Sequence, residues 1–197
     1  MKRLKLILLC AVMIFGILAI SACGEKESAG GDYEVTHVVE MTVKDKGTIT
    51  IELYGTLAPK TVENFVSLVE EGFYDGLTFH RIISGFMIQG GDPEGTGYGG
   101  SGRAIIGEFK ANGFDNTLSH DRGVISMARR GDSYDSATSQ FFICHTGDYK
   151  GSLDGQYASF GRVTKGMEVV DAIAAVATGA ADKPIADVII ESVKIVK

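Results

Sequence analysis

The sequence is poor in the residues from which disulfide frameworks and metal centres are built. It has three cysteines, four histidines and no tryptophan in 197 residues. Cys10 and Cys23 belong to the N-terminal segment, so Cys144 is the single cysteine in the rest of the chain. One cysteine cannot close an intrachain disulfide, and the histidines do not pair at the spacing of metal ligands. We therefore expect neither a disulfide framework nor a metal site.

Familiar catalytic motifs are also missing. The sequence contains no G-x-S-x-G turn for a nucleophilic serine and no H-E-x-x-H metal motif. Residues 95–100 (GTGYGG) match the G-x-G-x-x-G pattern of dinucleotide sites, which requires a strand before it and a helix after it. Ser101 and Gly102 make a poor helix start, and the surrounding pattern is not βαβ. We interpret these residues as a glycine-rich surface loop.

The N-terminus has the pattern of an export signal. Three basic residues among the first five precede an uncharged apolar run at residues 6–20, which is shorter than the ~20 residues that span a bilayer. Ser21 and Ala22 stand directly before Cys23 and resemble a bacterial lipobox, in which the cysteine is lipidated and becomes the mature N-terminus. This pattern predicts a lipoprotein, and an uncleaved anchor helix is the alternative.

These features divide the chain into three parts. We predict a lipoprotein signal peptide at residues 1–22 and a flexible tether at residues 23–34, which begins at the lipidated Cys23 and is rich in glycine and polar residues. Residues 35–197 form the predicted folded domain. The protein is then expected to be exported and lipid-anchored to the outer face of a bacterial cell membrane, on the periplasmic side if the cell has two membranes.

The charge balance is acidic. The formal net charge is −6 at pH 7, and removing residues 1–22, which carry three positive charges and no acid, brings it to −9. Nucleic acids and anionic lipid headgroups are bound by basic patches. We therefore expect no nucleic-acid partner, and we expect contact with the membrane only through the N-terminal lipid.

Hydrophobic periodicity predicts a mainly β domain with two helices. Apolar residues alternate on either side of an Asp45-Lys46-Gly47 turn, which predicts a hairpin. From Val62 they recur at i, i+3, i+4 and i+7, which predicts a helix with a proline in its first turn and Gly72 at its end. A second helix is predicted over residues 165–178. Between and after the helices, short apolar runs separated by glycines predict a closed barrel or a sandwich.

Two segments are dense in the side chains that a ligand site needs. Residues 79–92 (FHRIISGFMIQGGD) and 139–144 (SQFFIC) place an arginine and two glutamines among aromatic and methionine side chains. Residues two apart on a strand share a face, so these side chains converge if the strands are neighbours. The result is either an apolar pocket with a few fixed donors or a barrel wall whose polar residues face water.

Seven ordered motifs resemble the cyclophilin family of peptidyl-prolyl cis-trans isomerases, and the resemblance extends over about residues 43–196. The motifs are APKTVENF at 58–65, YDGLTFHRII at 74–83, GFMIQGGD at 85–92, GVISMA at 123–128, SQFFIC at 139–144, LDG at 153–155 and FGRV at 160–163.

The resemblance implies a fold, an activity and a set of partners. The fold is a closed eight-stranded antiparallel β-barrel capped by two α-helices. The activity is rotation about Xaa-Pro peptide bonds in a groove outside the barrel, with no cofactor. The partners are proline-containing peptides and unfolded exported proteins, and we expect the protein to be a monomer.

The resemblance also assigns roles to residues. Arg81 is the implied catalytic residue, and His80 and Asp92 are interpreted as structural. Gln89 and Gln140 are expected to hold Arg81 or the peptide backbone, and the 95–97 loop is expected to border the groove. The other implied substrate-binding residues are Phe86, Met87, Ala128, Arg129, Phe142, Leu153 and Tyr157.

The sequence departs from the family pattern at the groove. Ser152 stands where many members have tryptophan, which predicts a more open pocket and weak binding of cyclosporin. Tyr157 stands where many have histidine, and it keeps an aromatic wall and a hydroxyl. Arg129 and Arg130 are expected to add positive charge beside the groove and to favour acidic residues near the proline. A non-catalytic, proline-peptide-binding chaperone or adaptor lipoprotein is the alternative to the isomerase.

Overall fold

The computed structural model describes residues 33–197, in which eight β-strands and three α-helices occur. The predicted signal peptide, the predicted lipidation site Cys23 and all but the last two residues of the predicted tether lie outside the described residues. No helix among the described residues is long and apolar enough to cross a membrane. The strands are β1 (His37–Val43), β2 (Gly47–Leu53), β3 (Arg81–Ile83), β4 (Met87–Gly90), β5 (Val124–Met127), β6 (Phe141–Cys144), β7 (Ser159–Lys165) and β8 (Ile190–Ile195).

The eight strands form one antiparallel sheet, curved into a half-barrel, in the order β3-β4-β6-β5-β7-β2-β1-β8. The prediction of eight antiparallel strands is confirmed, but the prediction of a closed barrel is wrong. The edge strands β3 and β8 are not joined by a ladder, and single bridges from Thr78 to Asp92 and to Ile189 stand in its place.

The barrel stays open because the chain beside β8 is not a regular strand. Around Thr78 the backbone does bond to the start of β8: the amide of Ile190 donates to Leu77 (2.8 Å), and the amide of Phe79 donates to Val188 (2.9 Å). Gly72 and Gly76 just before it have φ values of +67° and +81°, which belong to turns and not to strands. The segment from Leu77 to Phe79 therefore covers the edge of β8 with a few backbone hydrogen bonds but is too short to form a ladder with it.

The predicted hairpin is confirmed. Strands β1 and β2 pair in register from His37 opposite Leu53 to Val43 opposite Gly47, and Asp45 adopts a left-handed conformation in the turn. Alternate residues of β1 (Val39, Met41, Val43) are buried, as the two-residue period requires.

The predicted helices are present, with different lengths and one addition. Helix α1 (Pro59–Glu70) begins with Pro59 and buries one face of its surface against the sheet. The second predicted helix is shorter than expected: α3 spans Met167–Ala174, because β7 continues to Lys165 and Gly166 then takes a left-handed φ of +84°. Sequence periodicity missed α2 (Lys150–Leu153), a single turn too short to show a helical stripe.

The core lies between the sheet and α1 and is centred on aromatic rings. Phe65 is fully buried and lies 5.0 Å from Tyr74, 5.8 Å from Phe141 and 5.2 Å from Phe160, measured between ring centroids. These contacts hold β6 and β7 against the helix. They therefore support from behind the strands whose outer faces carry the candidate site.

Candidate functional site

The alternation of side chains along β3, β4, β5 and β6 places the predicted site on the outer face of the sheet. Ile82, Ile88, Ile143 and Ile125 stand opposite one another across these four strands and belong to the core. Their neighbours in sequence must point the other way. Arg81 is therefore next to Gln89, and Gln89 next to Phe142, in one outward-facing row.

An apolar cluster adjoins this row, and we call it the outer apolar cluster. It consists of Met87, Phe142, Cys144 and Leu153, with Ile83, Phe86, Ala128 and Tyr157 packed against it. It is separate from the core cluster between sheet and helix. Six of its eight members are predicted substrate-binding residues, so the structure brings these residues together in one apolar cluster beside Arg81. Burial raises the pKa of the Cys144 thiol to about 12, so this cysteine contributes a small apolar side chain and no thiolate.

Phe142, at the centre of the cluster, is supported from behind by a buried histidine. The His120 ring lies 5.9 Å from the Phe142 ring at an interplanar angle of 15°, and Tyr157 meets Phe142 edge-on at 5.8 Å. His120 Nδ1 lies 2.8 Å from Asp154 Oδ1, and Nε2 lies 3.0 Å from Ser126 Oγ. These bonds fix the imidazole, and through it the position of Phe142.

The two glutamines bind each other and the neighbouring loop. Gln89 Nε2 donates to Gln140 Oε1 (2.8 Å), and Gln140 Nε2 donates to the carbonyl oxygen of Gly99 (2.8 Å). Neither amide hydrogen-bonds Arg81 within residues 33–197. Of the two predicted roles, holding Arg81 or holding the peptide backbone, the second stays a prediction. Arg81 Nε instead donates to Asp182 Oδ2 at 3.3 Å.

Asp92 organises the glycine-rich loop that borders the groove. Its buried carboxylate accepts from the backbone amides of Glu94 (2.8 Å), Thr96 (2.9 Å) and Gly97 (2.6 Å). Burial acts to raise the pKa of Asp92, but these amide donors outweigh it and lower the pKa. No helix follows this loop, as predicted, and the GTGYGG segment is a wall of the groove.

A cavity of about 740 Å³ continues the groove away from the outer apolar cluster. It lies between the glycine-rich loop, Gln89, Gln140 and the segment from Ala128 to Asp132. Its size is within the usual range of small-ligand sites. The row of Arg81, Gln89 and Phe142 therefore has the outer apolar cluster on one side and this cavity on the other.

Arg129 is held in place and is less free than the sequence suggests. Its guanidinium lies 4.8 Å from the Tyr157 ring, 5.0 Å from the Tyr134 ring and 5.4 Å from the Phe109 ring, and its Nε donates to the carbonyl oxygen of Gln156. Arg130 Nε lies 3.2 Å from Asp132. Aromatic rings fix the orientation of Arg129 but leave its positive charge in place, whereas Arg130 is paired with an exposed carboxylate. The preference for acidic residues near the proline stays a prediction that rests mainly on Arg129.

Tyr149 is a groove residue that sequence reasoning missed. Its ring lies 4.5 Å from the Phe86 ring at 47°, and about half of its surface is exposed. The exposed Ser152 donates from Oγ to the carbonyl oxygen of Tyr149 (2.8 Å). An aromatic ring therefore stands at the rim of the outer apolar cluster although Ser152 replaces the family tryptophan. The only available signal was an extra aromatic in the turn after Cys144.

Two buried histidines predict a loss of stability at mildly acidic pH. Burial lowers the pKa of His80 and of His120 below the 6.5 of a free imidazole, although Asp92 and Asp154 respectively act in the opposite direction. Below pH 6.5 the unfolded chain takes up protons that the folded chain resists, so the free energy of unfolding should fall between pH 7 and pH 5. Urea unfolding at both pH values measures this fall.

The matched control for the acid effect is His120→Gln, which cannot titrate. Its free energy of unfolding should change less between pH 7 and pH 5 than that of the unaltered chain. Asp92 and Asp154 have lowered pKa values, and their contributions are lost only as the pH falls through and below about 4, so they do not interfere. An equal free energy at pH 7 and pH 5 would contradict the prediction.

Comparison with known proteins identifies the family. The family model described as "Cyclophilin type peptidyl-prolyl cis-trans isomerase/CLD" matches residues 38–195. The chain is 45% identical over 161 residues to "Peptidyl-prolyl cis-trans isomerase-like 1" of Gibberella zeae, covering 81% of this chain and 91% of that protein. It is 46% identical over 143 residues to "Peptidyl-prolyl cis-trans isomerase" of Helicobacter pylori, covering 71% and 83% respectively.

Solved structures agree with the sequence relatives. A cyclophilin-type peptidyl-prolyl cis-trans isomerase of Cryptosporidium parvum has a TM-score of 0.74 and 34% identity, covering 82% of this chain and 98% of its own. Its crystal structure in the presence of the dipeptide Ala-Pro has a TM-score of 0.73. With the family model matched over most of the chain and relatives this similar, the chain belongs to the cyclophilin-type peptidyl-prolyl cis-trans isomerase family.

Proposed function

We propose that this isomerase rotates Xaa-Pro bonds of exported proteins, with Arg81 as its catalytic residue and the outer apolar cluster as its proline pocket. The observation that carries the proposal is the placement of a half-exposed arginine in one row with Gln89 and Phe142, directly beside that cluster. An apolar ring held in the cluster lies next to a permanent hydrogen-bond donor.

The chemistry requires rotation of an amide, with no bond broken and no proton transferred. Planar amide resonance gives a barrier of ~18–20 kcal/mol. In the twisted transition state the prolyl nitrogen becomes pyramidal and regains a lone pair, which can accept a hydrogen bond that the planar amide cannot accept. Arg81 is permanently charged and carries a rigid fork of N–H donors. A bond made mainly in the transition state raises the rate, whereas equal binding of both states does not.

The walls of the groove have complementary roles in this proposal. The outer apolar cluster takes the proline ring and removes water from the amide. Gln89 and Gln140, which already bind each other, present the remaining amide atoms to the peptide backbone. The adjoining cavity takes the residues before the proline. The Ala-Pro dipeptide used with the Cryptosporidium relative is consistent with this class of ligand.

The proposed setting is the outer face of a bacterial cell membrane, with Cys23 carrying the lipid. Exported proteins fold without ATP, and proline isomerisation is slow enough to limit their folding. An acidic, monomeric domain on a tether suits unfolded chains as clients. We further propose weak binding of cyclosporin, because the tryptophan position is occupied by Ser152, and the Tyr149 ring sits at a different place on the rim.

The lipid anchor is tested by Cys23→Ser in the full chain. Expressed in a bacterium, the unaltered protein should incorporate labelled fatty acid and lose residues 1–22, whereas Cys23→Ser should do neither. Cys144→Ser is the matched control, since it removes a buried thiol of the folded domain and should leave both properties unchanged. Labelling of the Cys23→Ser protein, or an unaltered protein that is unlabelled and keeps residues 1–22, would contradict the proposal.

A binding module without catalysis is the second candidate, and Ser152 is the feature that favours it. The two candidates differ in what Arg81 does. A module that only holds proline segments binds them similarly whether they are cis or trans and does not accelerate their exchange. Catalysed cis-to-trans conversion of a short Xaa-Pro peptide by the full chain separates them, and the Arg81 variants described below assign the acceleration to the groove.

A further inference from the structure

Residues 177–185, which we call the Asp182 loop, form a tight structure at the end of the candidate site. The amide of Gly179 donates to the carbonyl oxygen of Lys183 (2.8 Å), and the amide of Ile185 donates to that of Ala177 (3.0 Å). A bridge between Thr178 and Pro184 closes the base. The loop's ends are thereby pinned together, so the position of its tip is determined by backbone bonds.

The tip of the loop has an unusual backbone. Ala181 and Asp182 have φ values of +57° and +59°, and Asp45 in the β1–β2 turn is the only other non-glycine residue with positive φ between residues 33 and 197. Alanine rarely adopts this region. Such conformations persist where the surrounding structure imposes them, and they concentrate at functional sites. Here the consequence is that Asp182 is turned toward β3.

The Asp182 side chain meets Arg81. Its Oδ2 accepts a hydrogen bond from Arg81 Nε at 3.3 Å, and this is the one ion pair that Arg81 makes among the described residues. Arg81 begins an edge strand, and about two-fifths of its side chain is exposed. A long side chain in that position loses considerable rotamer freedom when it is fixed. A carboxylate on Nε restrains the guanidinium plane and leaves both Nη groups free to donate elsewhere.

We propose that Asp182 is a positioning residue for Arg81. By holding Nε, it directs the Nη donors toward the amide of a proline whose ring occupies the outer apolar cluster. This role of Asp182 rests on the proposed catalytic role of Arg81, and it assigns to the Asp182 loop the task of orienting the Arg81 guanidinium. Because preorganised donors act most strongly in the transition state, loss of Asp182 should reduce kcat more than it raises KM.

The test compares Asp182→Ala and Asp182→Asn with Asp187→Asn. Asp187 is an exposed acid near the loop, and its substitution removes the same charge without touching Arg81. We expect Asp182→Ala to lower kcat about tenfold, which is less than the loss expected when a catalytic donor itself is deleted. Asp182→Asn keeps an acceptor oxygen, so its kcat should lie between those of Asp182→Ala and the unaltered enzyme. The kcat of Asp187→Asn should equal that of the unaltered enzyme. NMR exchange rates at saturating Xaa-Pro peptide give kcat and KM separately.

Two further readouts distinguish positioning from a merely structural role. The Arg81 Nε–H signal should exchange faster with solvent in Asp182→Ala, and the midpoint of urea unfolding should stay close to that of Asp187→Asn. In an Arg81→Ala background, Asp182→Ala should have no further effect on kcat.

Three outcomes would overturn the inference. They are an unchanged kcat in Asp182→Ala, a raised kcat, which would make Asp182 a competitor for the arginine, or an effect that persists without Arg81. The proposed function fails separately, since equal rates for the unaltered chain and Arg81→Ala would remove the catalytic role of Arg81 itself. Asp182→Glu keeps the charge and should recover part of the kcat that Asp182→Ala loses.

Discussion

Replacing Arg81 by alanine should lower kcat/KM for an Xaa-Pro peptide about a hundredfold, the scale seen when one preorganised transition-state donor is removed. The donor is lost where the prolyl nitrogen acquires its lone pair, while the outer apolar cluster remains to bind the proline ring. Arg81 is half-exposed at the edge of the sheet, so its removal should change the free energy of unfolding little. Cis-to-trans conversion of a short peptide, measured with both proteins, gives the ratio.

Arg81→Lys is the matched control for this prediction. Lysine keeps the positive charge but replaces a planar fork by a single ammonium group. If fork geometry matters, Arg81→Lys should stay much nearer to Arg81→Ala than to the unaltered enzyme. Equal activity of arginine and lysine would reduce the role of Arg81 to that of a simple charge. Retained peptide binding with background rates in all three proteins would favour the binding module.

Phe142→Ala should produce the second large effect, on both stability and binding. Phe142 is 5% exposed, stacks on His120 and meets Tyr157 edge-on, so its removal leaves a cavity between them. Large-to-small changes of buried phenylalanine cost about 3–5 kcal/mol, and the free energy of unfolding should fall by the lower end of that range because the site faces the groove. The wall of the proposed proline pocket disappears as well, so KM should rise.

Phe65→Ala separates these two effects. Phe65 lies in the core behind the sheet and has no contact with the outer apolar cluster. Its removal should lower the free energy of unfolding by a similar amount, about 3–5 kcal/mol. Under conditions where both variants remain folded, Phe65→Ala should keep a near-normal KM while Phe142→Ala should not. Equal KM values in the two variants would contradict a proline pocket at Phe142.

The two predictions depend on one property of the fold: one face of the sheet packs in the core, and the other face carries the candidate site. The isoleucines at positions 82, 88, 125 and 143 face the core, whereas Arg81, Gln89 and Phe142 in the same strands face the groove. The core therefore fixes the strands that carry Arg81, Gln89 and Phe142 without occupying the surface they share. A defect in the core should lower stability first, and a defect on the outer face should lower activity first.

Much of this arrangement could be predicted from the sequence because it depends on local periodicity. The two-residue alternation of β1 and the helical stripe that begins at Val62 reflect which face of each element is buried. The motifs around Arg81, Gln140 and Leu153 were enough to indicate the family and the groove. The open edge between β3 and β8 was not predictable, because it depends on how a short irregular segment meets a distant strand.

Individual contacts within the groove were decided by the tertiary structure. Asp182 is 101 residues from Arg81 in sequence, and only the curvature of the sheet and the backbone bonds of the Asp182 loop bring the carboxylate to the guanidinium. The Arg129 guanidinium packs against aromatic rings from three separate segments of the chain. The turn after Cys144 brings the Tyr149 ring against Phe86.

The sequence by itself determined the strand pattern, the two main helices and the family to which the chain belongs. Each of these depends on residues that are close together in the chain, as local periodicity or as a short motif. The tertiary structure decided which charges in the groove are already partnered and which remain free to act. This choice depends on the fold because a long polar side chain has many possible partners in the unfolded chain, and packing of distant segments leaves it only a few.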